Sequence, residues 1–353
     1  MGHLVPCVFR FSVAQPFLSK KGAVRIRMRE EIIMKSLYAA ARAAYFSRVV
    51  ARGMPRYIVV EATNRCNLQC PVCATSQYMK RPRGDMSLRL FETLLEQITW
   101  RVKMLNFGYS GEPLLNPQLL AMVARAKDKR IRCGFDTNGT LIKKYAEDIV
   151  RAKTYYVNIA FDGTSQESLE KYRRGSDYQA LLEGVRALCG YKRSARTRVP
   201  IVALQFLVMR HNEGELSRVK TIARELGVDR LHIKSFNADL GFWLSREEKN
   251  RLIDEFSPRD PLYQRYTSTH TVKKRKFCIY PFTSPVILYN GDVSLCCLDF
   301  NGRHIAGTIT REDLATIWRG RAYERLREQV RRGTLDICRQ CSFDYSVNKT
   351  ISF

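Results

Sequence analysis

Apolar positions along the chain fall into short runs separated by longer amphipathic stretches. Residues 57–60 (Tyr-Ile-Val-Val) form a run of strand length with Glu61 and Ala62 behind it, which reads as a buried strand. Over residues 87–100, Leu90, Phe91, Leu94, Leu95 and Ile98 recur at one-turn intervals and predict a helix. The two patterns then alternate. Strands are expected at 103–109, 131–136, 155–161, 199–208 and 228–235. Helices are expected near Asn116, after Thr140, over 178–191 and over 212–226, where Gly227 marks the stop. Six strand–helix units between Tyr57 and Ser235 imply an α/β protein with a parallel sheet, and six units fit a partial (β/α)6 TIM-like barrel.

Past residue 268 the pattern changes. Two apolar runs, 286–289 and 293–295, meet at Asn290-Gly291, a strong hairpin signal. Farther on lie Gly307, Trp318 and an Arg-rich helix over 321–332. The expected organisation is a basic, helical N-terminal extension (1–56), the partial barrel (57–236), a helical linker (237–267) and a small cysteine-rich C-terminal domain (268–353).

Composition sets the limits of this picture. With 353 residues, 45% of them hydrophobic, the chain can bury a barrel core and a small appended domain. Its net charge is +26, and residues 1–56 alone carry eleven Lys/Arg against two Glu. Residues 25–52 read as a basic amphipathic helix with Ile32, Ile33, Leu37, Tyr38, Tyr45, Phe46 and Val49. No apolar run is long enough for a membrane span, and Arg25, Arg27 and Arg29 break any signal-peptide core. Such a helix suits peripheral contact with an anionic membrane surface or, equally, a cap on the barrel's open edge. Met28 and Met34 are alternative starts. The run Lys273-Lys274-Arg275-Lys276 adds to the basic surface, which is compatible with nucleic acid, phospholipid or a phosphorylated sugar and equally with a solvated face. No RNA-binding module is recognisable.

The candidate chemistry lies in the cysteines. Cys66, Cys70 and Cys73 have C-x3-C-x2-C spacing on the loop that leaves the first strand. Thiolates select iron–sulfur clusters, zinc or copper(I), and three of them leave one coordination position for another group. Clustered cysteines without a signal peptide point to metal in a reducing, cytoplasmic compartment, with membrane association left open. Cys7, Cys133 and Cys189 read as incidental or buried thiols, and the five histidines show no ligand spacing.

The triad resembles the cluster loop of radical S-adenosylmethionine (SAM) enzymes. Ser110-Gly111-Glu112-Pro113, at the end of the second strand, resembles that family's Gly-Gly-Glu-Pro motif, with Ser110 replacing the first glycine. Two departures are visible: Val72 where many members carry an aromatic that packs near the adenine, and Ala160 where many carry serine. The resemblance implies that Cys66, Cys70 and Cys73 hold a [4Fe-4S] cluster whose fourth iron binds SAM. It implies that one electron splits SAM to a 5′-deoxyadenosyl radical, which takes a substrate hydrogen atom. Glu112, with Ser110 and Gly111, would bind the SAM amino group; Asn138, Asp162 and Arg173 would meet its ribose or carboxylate. An electron donor such as flavodoxin or ferredoxin is implied as a partner.

The C-terminal cysteines resemble the SPASM extension of the same enzymes. Cys278, Gly291 and Cys296 match its C-x12-G-x4-C run, and Cys338-x2-Cys341 completes four thiolates for a second, auxiliary [4Fe-4S] cluster. No further cysteine follows before Phe353, so a single-cluster form is expected. Cys297 is an alternative to Cys296; strand alternation predicts that the two point to opposite faces. Four cysteines would also suit structural zinc. The resemblance implies a radical SAM oxidoreductase or modifying enzyme. Oxidative steps such as dehydrogenation or cross-linking, epimerisation and carbon–carbon bond formation all stay open. So do small-molecule, lipid-linked, anionic and peptide substrates. Residues 1–56 are short and helical for a peptide-recognition domain, and no residue stands out as hydrogen donor or base. The competing readings are a zinc-stapled basic nucleic-acid-binding protein and a radical SAM enzyme acting on RNA.

Overall fold

The computed structural model describes residues 53–238, 244–271, 278–339, 341 and 348–353. The expected basic helix at 25–52 and the basic run at 273–276 lie outside the described residues.

Six parallel strands pair in chain order: β1 (Tyr57–Val60), β2 (Met104–Asn106), β3 (Arg132–Thr137), β4 (Tyr156–Ala160), β5 (Ile201–Val208) and β6 (Arg230–Ser235). Helices Leu88–Gln97, Leu119–Asp128, Ile142–Arg151, Tyr178–Ser194 and Leu216–Leu226 carry the chain from one strand to the next. Local chemistry sets their ends. Ser87 accepts a hydrogen bond from the Leu90 amide, Asp177 accepts one from Ala180, and Gly227 closes its helix in the left-handed conformation. The result is the partial (β/α)6 barrel. β2 is shorter than expected because the chain leaves the sheet after Asn106. Gly108 there lies so close to Asp136 that a Cβ would stand 1.9 Å from its carboxylate oxygen.

The C-terminal residues continue this sheet at both edges. β7 (Val286–Ile287) pairs parallel with β1, then turns through Asn290-Gly291 into antiparallel β8 (Asp292–Ser294) and β9 (Ile305–Thr308). At the far edge β10 (Asn348–Ser352) pairs antiparallel with β6. The order is β10-β6-β5-β4-β3-β2-β1-β7-β8-β9. Sequence pattern missed β9 and β10, whose short runs (Ile-Ala-Gly-Thr and Asn-Lys-Thr-Ile-Ser) carry little apolar alternation. Among its described residues, the segment between β6 and the cysteine-rich region holds one helix, Arg246–Phe256, started by a reciprocal Ser245–Glu248 capping box.

Strand alternation divides the barrel. On β4, Val157 and Ile159 are fully buried in the main core, whereas Asn158 and Ala160 face the lumen. The core runs without a break from Ile58, Phe135 and Phe206 to Ile287, Trp318 and Cys338. Arg327, on the helix Arg321–Arg332, is wholly buried between the rings of Trp318 and Tyr323, 4.2 and 4.1 Å from their centroids. It donates to the carbonyls of Pro281 and Trp318. No helix among the described residues is long and apolar enough to cross a membrane.

Candidate active site and metal centres

The loop after β1 carries Cys66, Cys70 and Cys73 across the carboxyl ends of the strands. It is pinned from several sides. Gly111, with φ +70°, packs against it so closely that a Cβ would lie 2.5 Å from the Thr63 carbonyl and 2.6 Å from that of Arg65. The Glu112 amide donates to Arg65 O at 2.7 Å, and the Gln69 amide donates to Arg174 O at 3.0 Å. Val72 is buried in a second apolar cluster with Tyr172, Phe236 and Phe256.

One cavity opens between this loop and the barrel. All three cysteines line it, with Gly111, Glu112, Asn138 and Arg173. Glu112 is buried and accepts three hydrogen bonds: Thr137 Oγ1 at 2.7 Å, the Asn138 amide at 2.7 Å and the Leu114 amide at 3.2 Å. Burial pushes its carboxyl up to about 7 despite those donors. Asn138 Nδ2 donates to Asn67 Oδ1 at 2.9 Å and stands 3.8 Å from Cys66 Sγ. Arg173 Nη1 is 3.9 Å from Cys70 Sγ, while its Nε donates to Asp162 at 2.6 Å. Two expected residues stand behind the cavity. Asp162 is buried, orienting Arg173 and accepting the Leu207 amide at 2.7 Å, and the Ser110 hydroxyl turns away to Glu61. Of the adjacent arginines it is Arg173 that reaches the cavity.

The residues present fit an iron–sulfur group. Cys66, Cys70 and Cys73 are not in disulfides, and the triad stands at one mouth beside backbone and carboxamide donors. Among the described residues no three His, Cys, Asp or Glu side chains are gathered as a single metal ion requires. A cube of four irons gives each thiolate its own iron and spaces them more widely. Without metal, burial pushes the Cys70 thiol up to about 11 and also raises Cys66. Loading with iron must therefore release protons.

A second group lies beyond the hairpin. The thiol of Cys278 is pushed up to about 12, chiefly by burial and further by Cys296, Cys341 and Cys338 around it. Cys296 Sγ accepts the Leu298 amide at 3.3 Å. The alternation expected to part Cys296 from Cys297 does not operate, because β8 ends at Ser294 and both cysteines lie past the strand end. Their side chains touch, and hydrogen bonding to Cys297, with burial second, raises the Cys296 thiol.

Sequence reasoning missed the polar lumen of the barrel: Asp136, Asn158 and Gln205 also line the cavity. The signal was present as polar residues at alternate positions within otherwise apolar strands.

Comparison with known proteins agrees with this geometry. Residues 60–215 match the family model of the radical SAM superfamily, and residues 278–342 match that of an iron–sulfur cluster-binding domain, SPASM. The chain is 27% identical over 187 residues to a tungsten-containing aldehyde ferredoxin oxidoreductase cofactor-modifying protein of Pyrococcus furiosus, covering 51% of each. It is 29% identical over 205 residues to pre-heme d1 synthase of Dinoroseobacter shibae, covering 57% of this chain and 48% of that one. It is 25% identical over 181 residues to PqqA peptide cyclase of Gluconobacter oxydans, covering 51% and 49%. The chain thus spans about half the length of each of these relatives. Among solved structures, Streptococcus suis SuiB bound to its precursor peptide SuiA superposes with a TM-score of 0.58 at 14% identity, over 91% of this chain and 75% of that one. The enzyme anSMEcpe with AdoMet and a peptide gives 0.54 at 18% identity, over 82% and 87%. At such identities the likeness is one of fold.

Proposed function

We propose that this chain, a member of the radical SAM superfamily with a C-terminal SPASM domain, cleaves S-adenosylmethionine reductively and modifies a substrate held in its barrel lumen. The observation that carries the reading is the convergence of Cys66, Cys70 and Cys73 with Glu112, Asn138 and Arg173 on one cavity. When bound, the [4Fe-4S] cluster supplies one electron that splits SAM and so generates the hydrogen-abstracting radical.

The chain's own residues do the rest. Cys66, Cys70 and Cys73 would hold the cluster, and the burial of Cys70 and the apolar packing of Val72 exclude water from that part of the loop. Glu112, held by three donors, offers its carboxylate to the SAM ammonium, and Gly111 lets the backbone approach. Arg173, braced by Asp162, presents a cation for the SAM carboxylate. Asn138 meets the ribose. Cys278, Cys296, Cys338 and Cys341 would hold the auxiliary cluster, which would suit electron exchange with substrate or substrate positioning. The enzyme takes its electron from a donor of the flavodoxin or ferredoxin kind and works in a reducing, cytoplasmic setting.

Anaerobic incubation of the reconstituted protein with SAM and dithionite tests this. 5′-Deoxyadenosine forms with the wild-type chain and not with Cys70→Ala. Its absence from both would overturn the reading.

A further inference from the structure

Below the cluster loop, five successive strands carry a row of polar side chains, Asn106, Asp136, Asn158, Gln205 and Lys234, of which the middle three line the cavity. In (β/α) barrels such layers are dominated by branched apolar residues. Here they form a connected chain. Asn158 Nδ2 donates to Asp136 Oδ1 at 2.6 Å and to Gln205 Oε1 at 3.2 Å, and the Lys234 ammonium donates to the same Gln205 oxygen. Asn106 hydrogen-bonds to Asp136. Asp136, Asn158 and Gln205 face the cavity that the cysteine triad also lines.

The layer does not satisfy itself. Asn158 is 7% exposed, yet its Oδ1 accepts no hydrogen bond, and neither does the buried Oδ1 of Asn106. A buried acceptor without a donor costs on the order of 1–3 kcal/mol, so the Asn158 oxygen, whose residue lines the cavity, calls for a donor from it. The layer also offers an acid at Asp136 and, on the strand next to that of Gln205, a cation at Lys234. We infer that this layer is the floor of the substrate site and that it receives a hydroxyl-bearing carbon skeleton of sugar or cyclitol type. The inference rests on the radical SAM reading of the cavity above it.

The chemistry separates this class from apolar substrates. Each hydroxyl both donates and accepts, so vicinal hydroxyls can answer the acceptors of Asn158 and Asp136 and the carboxamide of Gln205 together. An acyl chain would leave the same groups desolvated and unpaired. Asp136, Asn158 and Gln205 share one cavity with the triad, so a substrate held on them lies in the same space as the SAM site.

Equilibrium dialysis of tritiated glucose, glucosamine and myo-inositol against the reconstituted, SAM-loaded full chain tests the proposal, with labelled decanoate as the apolar control. At least one of the three is expected to bind, decanoate is not, and Asp136→Asn is expected to weaken binding on the order of tenfold through loss of charge-assisted hydrogen bonding. If that variant does not load iron, Lys234→Met supplies the second comparison. Iron and bound SAM are assayed in the same samples. A wild-type sample without iron or SAM contradicts the reading of the upper site. A loaded sample that ignores all three polyols, prefers decanoate, or binds them equally in the variants overturns the assignment of the floor.

Discussion

The carboxylate of Glu61 and the guanidinium of Arg81 meet in a two-point ion pair, with Nη1 3.0 Å from Oε2 and Nη2 2.5 Å from Oε1. Glu61 is fully buried at the end of β1. It also accepts the Ser110 hydroxyl and, at 3.0 Å, the amide of Tyr289, while Arg81 Nε donates to Phe300 O at 2.7 Å. One pair thus ties the barrel strand, the Ser-Gly-Glu-Pro loop and the hairpin region leading to Cys296.

Removing one partner strands the other's charge. Arg81→Met is expected to destabilise the protein by about 3 kcal/mol, the range for a broken buried pair. The double variant Glu61→Leu/Arg81→Met should recover much of that loss. Urea denaturation of the two variants checks the difference; equal losses would show that the pair does not act as a unit.

Gly111 has no room for a side chain. The backbone carbonyls of Thr63 and Arg65 stand 2.5 and 2.6 Å from a Cβ, and φ is +70°. Gly111→Ala should cost on the order of 1–3 kcal/mol and shift Glu112 from its place. Loss of SAM binding, measured by equilibrium dialysis, is the expected result.

Glu112 sets a pH dependence of definite sign. Its folded value of about 7 lies above the ordinary 4.5 because burial disfavours the charge. Between those values the unfolded chain ionises first. The contribution of Glu112 to stability is therefore complete below about 4.5 and is lost as pH rises to about 7. Glu112→Gln should remove that slope from the metal-free protein, as read by urea midpoints across this range.

The paired cysteines past β8 should differ in role. Cys296 takes the Leu298 amide and neighbours Cys278. Cys296→Ser should therefore lose about four irons, one cluster's worth, and Cys297→Ser should retain them. Iron analysis after reconstitution decides between them.

Much of this architecture was legible in the sequence because it rests on local pattern. Short apolar runs alternating with one-turn helical spacing located all six barrel strands, and Asn290-Gly291 located the hairpin. The residues that line the cavity around the triad came from motif resemblance. What escaped depends on tertiary placement. β10 earns its place only by pairing with the edge of β6, which no local signal announces. The Glu61–Arg81 pair joins positions twenty residues apart across a loop. The polar positions of the lumen are visible strand by strand, but their convergence appears only when the strands lie side by side and Asp136, Asn158 and Gln205 come into line. The orientation of Cys296 and Cys297 was misread because alternation was carried past Ser294, where the strand has already ended.

The proposed function requires two separate iron–sulfur sites, one of them open to SAM. Iron content after anaerobic reconstitution, with 5′-deoxyadenosine formation in the same samples, tests it most directly. The wild-type chain should hold about eight irons, and the variant Cys66→Ala/Cys70→Ala/Cys73→Ala about four with no 5′-deoxyadenosine formed. Zinc in place of iron, or SAM cleavage that survives loss of the triad, would contradict the account.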